Sequence, residues 1–196
     1  PNDRYVIGSF QRDTNGSDLS TIKAQKGPDV FLAIVTGLAR HIGRDRIHVV
    51  LAGPRRHWLR GQLKKYEIPF SYIGKEIERD DYPENILSLN QIAELTRTLD
   101  VNLVTSRWEG GPRALLESAL CKTAVLSTDV GIARELLEPE SIFTNISQAI
   151  ELLIKDQQTQ LLQKNIEAHF LRVSQNHSYE AVSKHWSNFY RSIVDE

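Results

Sequence analysis

The fold of this chain is decided by the stretch Trp108-Glu109-Gly110-Gly111-Pro112-Arg113-Ala114-Leu115-Leu116-Glu117. Valine-rich segments flank it at residues 101–105 and 124–128, so the order predicts strand, tight turn, helix and strand, which is one parallel β/α unit. Gly110 and Gly111 let the backbone approach a ligand closely, and Pro112 suits the first helical position. The turn therefore directs a helix N-terminus, which favours anions, to the carboxyl edge of a parallel sheet, where open α/β sheets bind ligands.

The two glutamates of this stretch are candidate binding residues. A helical wheel predicts that Glu117 lies on the flank of the helix's apolar face, where its carboxylate can accept hydrogen bonds from a hydroxylated ligand. The alternatives are a solvated Arg113–Glu117 pair at i,i+4 and an exposed loop acid at Glu109. The apolar face itself is expected to consist of Pro112, Leu115, Leu116, Ala119 and Leu120.

Composition sets limits on the class of protein. The chain has 196 residues, 40% hydrophobic and 25% charged, with a net charge of −1, as expected for a single globular domain spanning 1–196. This charge balance does not indicate nucleic-acid binding, and no apolar run predicts a transmembrane segment. A single cysteine, Cys121, excludes an intrachain disulfide and fits a cytoplasmic protein. Because the chain has no methionine and opens directly into a strand, we expect it to be a fragment of a longer two-domain protein. An alternative to a purely cytoplasmic location is peripheral attachment to a membrane through the missing half.

Short β-rich runs alternate with amphipathic stretches along the rest of the chain. We predict further strands at residues 4–10, 47–52, 70–73 and 141–143, and helices at residues 28–42, 57–66, 91–98, 133–137, 146–155, 157–171 and 179–194. Repeated β-α-β units indicate an α/β fold, a doubly wound parallel sheet with helices on both faces and additional C-terminal helices.

Two of these helices carry patterns that suit either packing or binding. In and just before the predicted helix at 57–66, clustered cations are expected to form a solvated outer face rather than a membrane or nucleic-acid contact: Arg55, Arg56, Arg60, Lys64 and Lys65. In the last, an aromatic stripe is expected to pack against the protein rather than to bind a ligand: Tyr179, Val182, Trp186, Phe189, Tyr190 and Ile193.

A polar loop is predicted at residues 11–25, with a turn signal at Asn15-Gly16. Arg12 lies near its start, and Lys26 directly follows it. Both lie at the carboxyl end of the first strand, the edge that also carries Glu109. Two cations beside a helix N-terminus form a diphosphate site without a metal, although either cation alone would suit an exposed loop. The chain has no Asp-x-Asp pair for a divalent ion and no dinucleotide-binding Gly-x-Gly-x-x-Gly.

Taken together, these motifs resemble the C-terminal, donor-binding half of a GT-B glycosyltransferase of the group 1 type, many of whose members are retaining enzymes. The resemblance covers nearly the whole chain, in the family's order. The matching segments are Ile7-Gly8-Ser9-Phe10-Gln11-Arg12, Lys26-Gly27-Pro28-Asp29, Val49-Val50-Leu51-Ala52-Gly53, Ser106-Arg107-Trp108-Glu109-Gly110-Gly111-Pro112, Leu115-Leu116-Glu117 and Asp129-Val130-Gly131.

The resemblance implies a role for each matching position. Glu117 would accept hydrogen bonds from the ribose of a nucleotide-sugar donor, and Glu109 would contact the transferred sugar. Arg12 and Lys26 would stabilise the leaving nucleoside diphosphate, a role that growing charge on the phosphate makes sensible. The backbone around Gly110, Gly111 and Pro112 would contact sugar and phosphate, with Gly8 also among the donor-binding positions and Arg113 partly replacing the N–H that Pro112 lacks.

The resemblance therefore predicts metal-independent, retaining sugar transfer from a nucleotide donor, with a UDP-sugar favoured, to an unknown acceptor and with no further cofactor. The partner would be the N-terminal half of the same protein. Alternatives are a related sugar-nucleotide epimerase, a phosphorylase with a pyridoxal-phosphate lysine, or a nucleotide-sugar-binding domain without catalysis.

Overall fold

The computed structural model describes residues 4–16 and 18–194. Its centre is a six-stranded parallel sheet in the order β5-β4-β1-β6-β7-β8. The strands are β1 (Tyr5–Ser9), β4 (Ile47–Ala52), β5 (Phe70–Ile73), β6 (Val101–Val104), β7 (Ala124–Thr128) and β8 (Ile142–Phe143). The predicted doubly wound α/β fold is confirmed.

Helices cover both faces of the sheet. They are α1 (Pro28–Ile42), α2 (His57–Lys65), α3 (Leu89–Thr96), α4 (Arg113–Leu120), α5 (Ala133–Leu136), α6 (Ile146–Thr159), α7 (Ile166–Asn176) and α8 (Tyr179–Val194). Side chains alternate along each strand, so Leu103 and Leu126 pack with α1 and α6, whereas Val104 and Val125 pack with α4 and α7. This alternation produces two apolar cores, one on each side of the sheet.

The order of the strands reverses between β1 and β6. From β1 the chain adds β4 and then β5 on one side, and it returns to add β6, β7 and β8 on the other. Ile7 of β1 is in register with both Val49 of β4 and Val101 of β6. Ligands of open α/β sheets bind at such a switch point, beyond the carboxyl ends of the two strands. Arg12 and Lys26 follow β1, and Glu109 follows β6, so the fold brings these segments to one edge.

The segment predicted as a polar loop at residues 11–25 is largely a β-hairpin. β2 (Thr14–Asn15) pairs antiparallel with β3 (Asp18–Ile22), and a short 3₁₀ helix follows at Ala24–Lys26. The turn signal at Asn15-Gly16 is correct, since Gly16 has φ +49°. The sequence did not predict the hairpin, because most of β3 is exposed and its residues therefore show no alternation of apolar and polar side chains.

Several predicted details are wrong. Residues 157–171 form not one helix but the end of α6, a 3₁₀ turn and the first part of α7. Pro112 directly precedes α4 and does not occupy its first helical position. On α4, Leu120 is exposed, whereas Ser118 is buried and accepts a 2.8 Å hydrogen bond from Asn102. A buried hydrogen bond therefore places a polar residue in the interior that the helical wheel does not assign to the apolar face.

The aromatic stripe of α8 does not pack on the body of the protein. None of the residues of α8 is buried, and Trp186 is 55% exposed. Its rings instead pack on one another, with Trp186 stacked on Tyr190 and edge-on to Phe189. The helical periodicity predicted the stripe correctly, but not the surface that covers it.

Candidate functional site

Two chain segments build the site, one from each side of the switch point. The short connection, residues 105–112, joins β6 to α4, and the long connection, residues 10–27, joins β1 to α1. Each begins at the carboxyl end of a strand and ends at a helix N-terminus. The residues that face each other across the switch point therefore come from distant parts of the sequence.

Local contacts hold the short connection and its glutamate. Ser106 Oγ donates to Glu109 Oε1 at 2.9 Å, and Thr128 Oγ1 donates to the Ser106 carbonyl at 2.6 Å. Gly131 has φ +53°, and a Cβ there would lie 2.5 Å from the Gly110 carbonyl oxygen. A glycine is therefore required at 131 so that the next turn can support the backbone of the Glu109 turn from behind.

The long connection is joined to the short one at Gly27. Gly27 has φ +59°, and a Cβ there would lie 2.0 Å from the Thr105 carbonyl oxygen, so only glycine fits. Thr105 Oγ1 donates to the Gly27 carbonyl at 2.9 Å, and Arg107 N donates to the Gln25 carbonyl at 2.8 Å. The Arg107 guanidinium also forms two hydrogen bonds with the Asp29 carboxylate.

This joint brings Lys26 to Glu109. Lys26 Nζ forms an ion pair with Glu109 Oε1, the oxygen that also accepts from Ser106. Both side chains are largely but not fully buried, with 21% and 11% exposed. The two sequence-predicted residues therefore meet directly and neutralise each other.

Buried charges anchor the base of the hairpin. Asp13 and Arg56 are both 1% exposed, and Asp13 Oδ2 lies 4.0 Å from Arg56 Nε and accepts from Leu59 N at 2.9 Å. Burial raises the pKa of Asp13 from 3.8 to about 6, against the opposing effect of the Arg56 charge. Asp13 N also donates to the Arg55 carbonyl at 3.0 Å. Arg12 is thus attached to a rigid point in the protein interior.

The expectation of a solvated basic face on α2 is wrong for Arg56 and Arg60. Arg56 is buried beside Asp13, and Arg60, 8% exposed, lies over the Tyr72 ring and pairs with Glu76 at 3.0 Å. Lys64 and Lys65 are exposed as predicted. Sequence spacing does not distinguish a cation that faces solvent from one that meets a distant carboxylate.

An open cleft of about 450 Å³ lies at the switch point between the two connections. Among the sequence-predicted site residues it is lined by Arg12, Lys26, Glu109, Gly111, Pro112, Arg113 and Glu117. Its lining also includes the apolar side chains Ile86, Leu87, Leu89 and Ile92. This combination of ionic and apolar walls suits an amphiphilic anion such as a nucleotide.

Glu117 lines the cleft from α4. Its carboxylate is 34% exposed, and Arg113 Nε lies 3.9 Å from its Oε1. The i,i+4 pair that was one alternative for Glu117 is thus present, at long range and with Arg113 82% exposed. Such a pair contributes only about 0.3–0.5 kcal/mol. It leaves the carboxylate accessible to a ligand in the cleft.

Two predicted donor-binding glycines do not line the cleft. Gly8 is in the middle of β1, where a Cβ would lie 2.1 Å from a methyl group of Leu99. Close packing of Leu99 accounts for this glycine. Gly110 lies against Gly131 at the back of the Glu109 turn.

The sequence did not indicate the roles of Arg55, Asp80, Asp81 and Tyr82. Arg55 has a positive φ of 59°, and its guanidinium forms two 2.9 Å hydrogen bonds with Asp80. Asp81 is fully buried and accepts from Arg55 N at 2.7 Å. Tyr82 lines the cleft, with Arg12 and Arg55 5.9 and 5.0 Å from its ring centroid. The adjacent Asp80-Asp81 after a strand was the available signal.

Metal sites and membrane-spanning helices were sought among residues 4–16 and 18–194. Within these ranges, no group of three or more His, Cys, Asp or Glu side chains is arranged to hold a metal ion. None of the helices in these ranges combines the length and apolar character needed to cross a membrane.

Comparison with known proteins gives a family match. The model of the family described as "Glycosyl transferases group 1" matches residues 19–169. This range includes Lys26 and the whole stretch from Glu109 to Glu117. No curated protein sequence matches the chain.

Solved structures share the fold at low sequence identity. Sucrose-phosphate synthase from Thermosynechococcus elongatus superposes with a TM-score of 0.73 at 16% identity, covering 100% of this chain and 47% of that one. An α,α-trehalose-phosphate synthase (UDP-forming) from Burkholderia vietnamiensis has a TM-score of 0.73 at 13% identity, covering 97% and 43%. Anabaena Alr3699/HepE, in complex with UDP, has a TM-score of 0.72 at 16% identity, covering 97% and 49%. The chain thus spans less than half the length of each.

Proposed function

The chain belongs to the group 1 glycosyl transferases, and we propose that it is the domain that binds the nucleotide-sugar donor for transfer of a sugar to an acceptor. One observation carries the proposal: Arg12, Lys26, Glu109 and Glu117 line a single cleft at the switch point of the sheet. The UDP that is bound in the similarly folded Anabaena protein supports a nucleoside diphosphate as the ligand class.

The part of the cleft lined by Arg12 and Lys26 is the proposed diphosphate site. Arg12 forms no ion pair with a carboxylate of residues 4–16 or 18–194, so its guanidinium is available to phosphate oxygens. Lys26 lines the same cleft and is paired with Glu109 in the free protein. As the bond between sugar and diphosphate breaks, negative charge grows on the phosphate, and both cations stabilise it.

The two glutamates are proposed to bind the hydroxyl groups of the donor. Glu109 accepts from the sugar hydroxyls, and Ser106 holds the carboxylate in place. Glu117 accepts from the ribose hydroxyls, as its exposure in the cleft permits. Gly111 and Arg113 line the same cleft, so their backbone N–H groups are proposed donors to the ligand, whereas Pro112 has no N–H.

We further propose that transfer is metal-independent and retaining. The case for metal independence is that Arg12 and Lys26 supply two positive charges where the diphosphate would lie. The case for retention is the resemblance of the Glu109–Glu117 spacing to that of retaining group 1 enzymes.

A second half of the protein is the proposed partner. The structures that share the fold are about twice as long as this chain, which covers 47% and 49% of two of them. The exposed aromatic stripe of α8 is suited to pack against such a half. Because the cleft is open, water remains around a bound donor, and we expect this chain alone to transfer no sugar at a useful rate.

Titration calorimetry of the chain with UDP, GDP and ADP in EDTA tests donor binding. We expect at least one nucleoside diphosphate to bind, with UDP favoured. The double variant Arg12→Gln/Lys26→Gln should bind it about a hundredfold more weakly, because two charge-assisted contacts are lost. The control Arg40→Gln/Lys64→Gln removes the same charge from exposed positions on α1 and α2 and should bind normally. Failure of all three nucleotides to bind, or equal affinities of the two variants, would contradict the proposal.

A further inference from the structure

Tyr82 is a cleft residue that the proposed function leaves without a role. It lies in the connection between β5 and α3, and it lines the cleft together with Arg12. The residue is 45% exposed, so burial in the protein interior does not account for its ring. Two guanidinium groups lie over this ring, with the Cζ atoms of Arg55 and Arg12 5.0 and 5.9 Å from its centroid. Both distances are within the range at which the face of an aromatic ring attracts a cation.

The two guanidinium groups differ in how their charge is compensated. Arg55 forms two 2.9 Å hydrogen bonds with the carboxylate of Asp80. No carboxylate in the described part of the chain pairs with Arg12. An aromatic ring attracts a cation without neutralising it. The contact with Tyr82 therefore holds the Arg12 guanidinium in the cleft and leaves its charge available to a ligand.

Backbone contacts fix the ring relative to Arg12. Tyr82 N donates to Asp80 Oδ1 at 3.3 Å, and Asp80 is paired with Arg55. The Arg55 carbonyl accepts from Asp13 N at 3.0 Å, and Asp13 directly follows Arg12 in the chain. Arg12 and Tyr82 thus extend from two segments that are both attached to Arg55, so the fold brings their side chains together.

We infer that Tyr82 is a positioning residue for diphosphate binding, which holds the Arg12 guanidinium in the cleft before the nucleotide arrives. The inference rests on the proposed function, since Arg12 acts there on the same diphosphate. A long arginine side chain loses rotamer freedom when it binds a ligand, and a contact that restricts it beforehand lowers this cost. A carboxylate would restrict it as well, but it would compete with the phosphate oxygens for the same charge.

The test is calorimetry of Tyr82→Leu and Tyr82→Phe with the diphosphate that the unaltered chain binds among UDP, GDP and ADP, and with the matching nucleoside. Tyr82→Leu removes the ring and should weaken diphosphate binding about three- to fivefold, with nucleoside binding unchanged. Tyr82→Phe keeps a ring face and should bind as the unaltered chain does. Tyr66→Leu is the matched control and should also bind normally. Tyr66 is 40% exposed and has Lys65 5.9 Å from its ring centroid, but it does not line the cleft.

A double-mutant cycle with Arg12→Gln shows whether Tyr82 acts through Arg12. Arg12→Gln alone should weaken diphosphate binding about tenfold, because one charge-assisted contact is lost. In this background Tyr82→Leu should cause no further loss, since the cation that the ring holds is gone. A purely structural role of Tyr82 would instead weaken binding by the same factor in both backgrounds.

The outcomes separate this inference from the proposed function. If the unaltered chain binds a diphosphate and Tyr82→Leu matches Tyr66→Leu, the ring does not position Arg12, and the donor site stands without it. The inference is also overturned by an equal loss in both Arg12 backgrounds, by an equal loss for diphosphate and nucleoside, or by a loss in Tyr82→Phe as large as in Tyr82→Leu. If the unaltered chain binds none of the three diphosphates, the proposed function fails and the role of Tyr82 fails with it.

Discussion

The two connections at the switch point do the same structural task by different means. The short connection, residues 105–112, is shaped by its own sequence, with glycines in the turn and Ser106 and Glu109 in direct contact. The long connection, residues 10–27, passes through a hairpin and is anchored by the buried Asp13 and Arg56. A cleft residue can therefore be positioned by a local turn or by a distant ion pair, and only the first is visible in sequence.

The point where the connections touch should be the most sensitive to substitution. Gly27→Ala forces a Cβ to within 2.0 Å of the Thr105 carbonyl oxygen at a φ of +59°. We expect the free energy of unfolding to fall by about 3 kcal/mol and nucleotide binding to be lost. Urea denaturation measures the first quantity and calorimetry the second.

Gly61→Ala is the matched control, since a Cβ on α2 meets no atom within 4 Å. It should raise the free energy of unfolding by about 0.5–1 kcal/mol through helix propensity. Equal stability of the two alanine variants would show that the connections do not depend on contact at Gly27.

Glu117 tests the side of the cleft that depends on the short connection. Glu117→Ala should weaken nucleoside diphosphate binding about ten- to a hundredfold through loss of a charged acceptor for ribose. Stability should hardly change, because the carboxylate is 34% exposed and its Arg113 pair is long. Glu151→Ala, at an exposed site on α6, is the control for loss of a carboxylate. Unchanged affinity in Glu117→Ala would leave only the surface pair as its role.

Asp13 tests the anchor of the long connection. The pKa of Asp13 is about 6 in the folded protein, compared with the ordinary 3.8. Between these pH values the folded protein therefore binds more protons than the unfolded chain does. Ionised Asp13 therefore costs stability, which falls as pH rises from about 4 to 6. An asparagine side chain does not titrate, so in Asp13→Asn the free energy of unfolding, relative to the unaltered chain, should rise by on the order of 1–2 kcal/mol across this window.

A buried histidine opposes this effect and must be held constant. Burial lowers the pKa of His169 to about 4, so its contribution makes the protein more stable as pH rises from about 4 to 6.5. Because His169 is present in both proteins, the difference between them isolates Asp13. Parallel stability–pH curves for Asp13→Asn and the unaltered chain would show that Asp13 does not titrate in the folded state.

The smallest expected effect lies in the ion pair that links the two connections. Glu109→Gln removes the charge that occupies Lys26 but keeps an acceptor for Ser106. We expect UDP to bind about threefold more tightly, because Lys26 no longer has to break an ion pair with Glu109 before it binds phosphate. UDP-glucose should gain less, because its sugar loses a charged acceptor. Weaker UDP binding by Glu109→Gln would mean that the pair positions Lys26 rather than competing for it.

The sequence predicts the site best where contacts are local. The strands at 47–52, 70–73 and 124–128 and the helix at 28–42 have the predicted bounds, because continuous apolar runs and 3.6-residue periodicity arise from neighbouring residues. The sequence predicts Arg12, Lys26 and Glu109 at the carboxyl edge of the sheet and Glu117 on the flank of the following helix, and all four line one cleft. Their ligand roles stay predictions, as do the domain bounds of 1–196.

Other features followed from contacts that no sequence spacing encodes. Arg56 belongs to a run of cations that predicts a solvated face, yet it is buried because Asp13 meets it from another element. The stripe on α8 predicts packing, yet it is exposed because periodicity identifies an apolar face without identifying its partner.

The sequence by itself determined the alternation of strands and helices, and with it the parallel sheet whose carboxyl edge carries the Glu109 turn. These follow from side-chain periodicity and from the conformational freedom of glycine, which act between neighbouring residues. Only the tertiary structure decided that Lys26 pairs with Glu109 and that Asp13 is buried against Arg56. Each depends on segments meeting across the sheet or the hairpin, and a charge has no preferred partner until the fold brings one within reach.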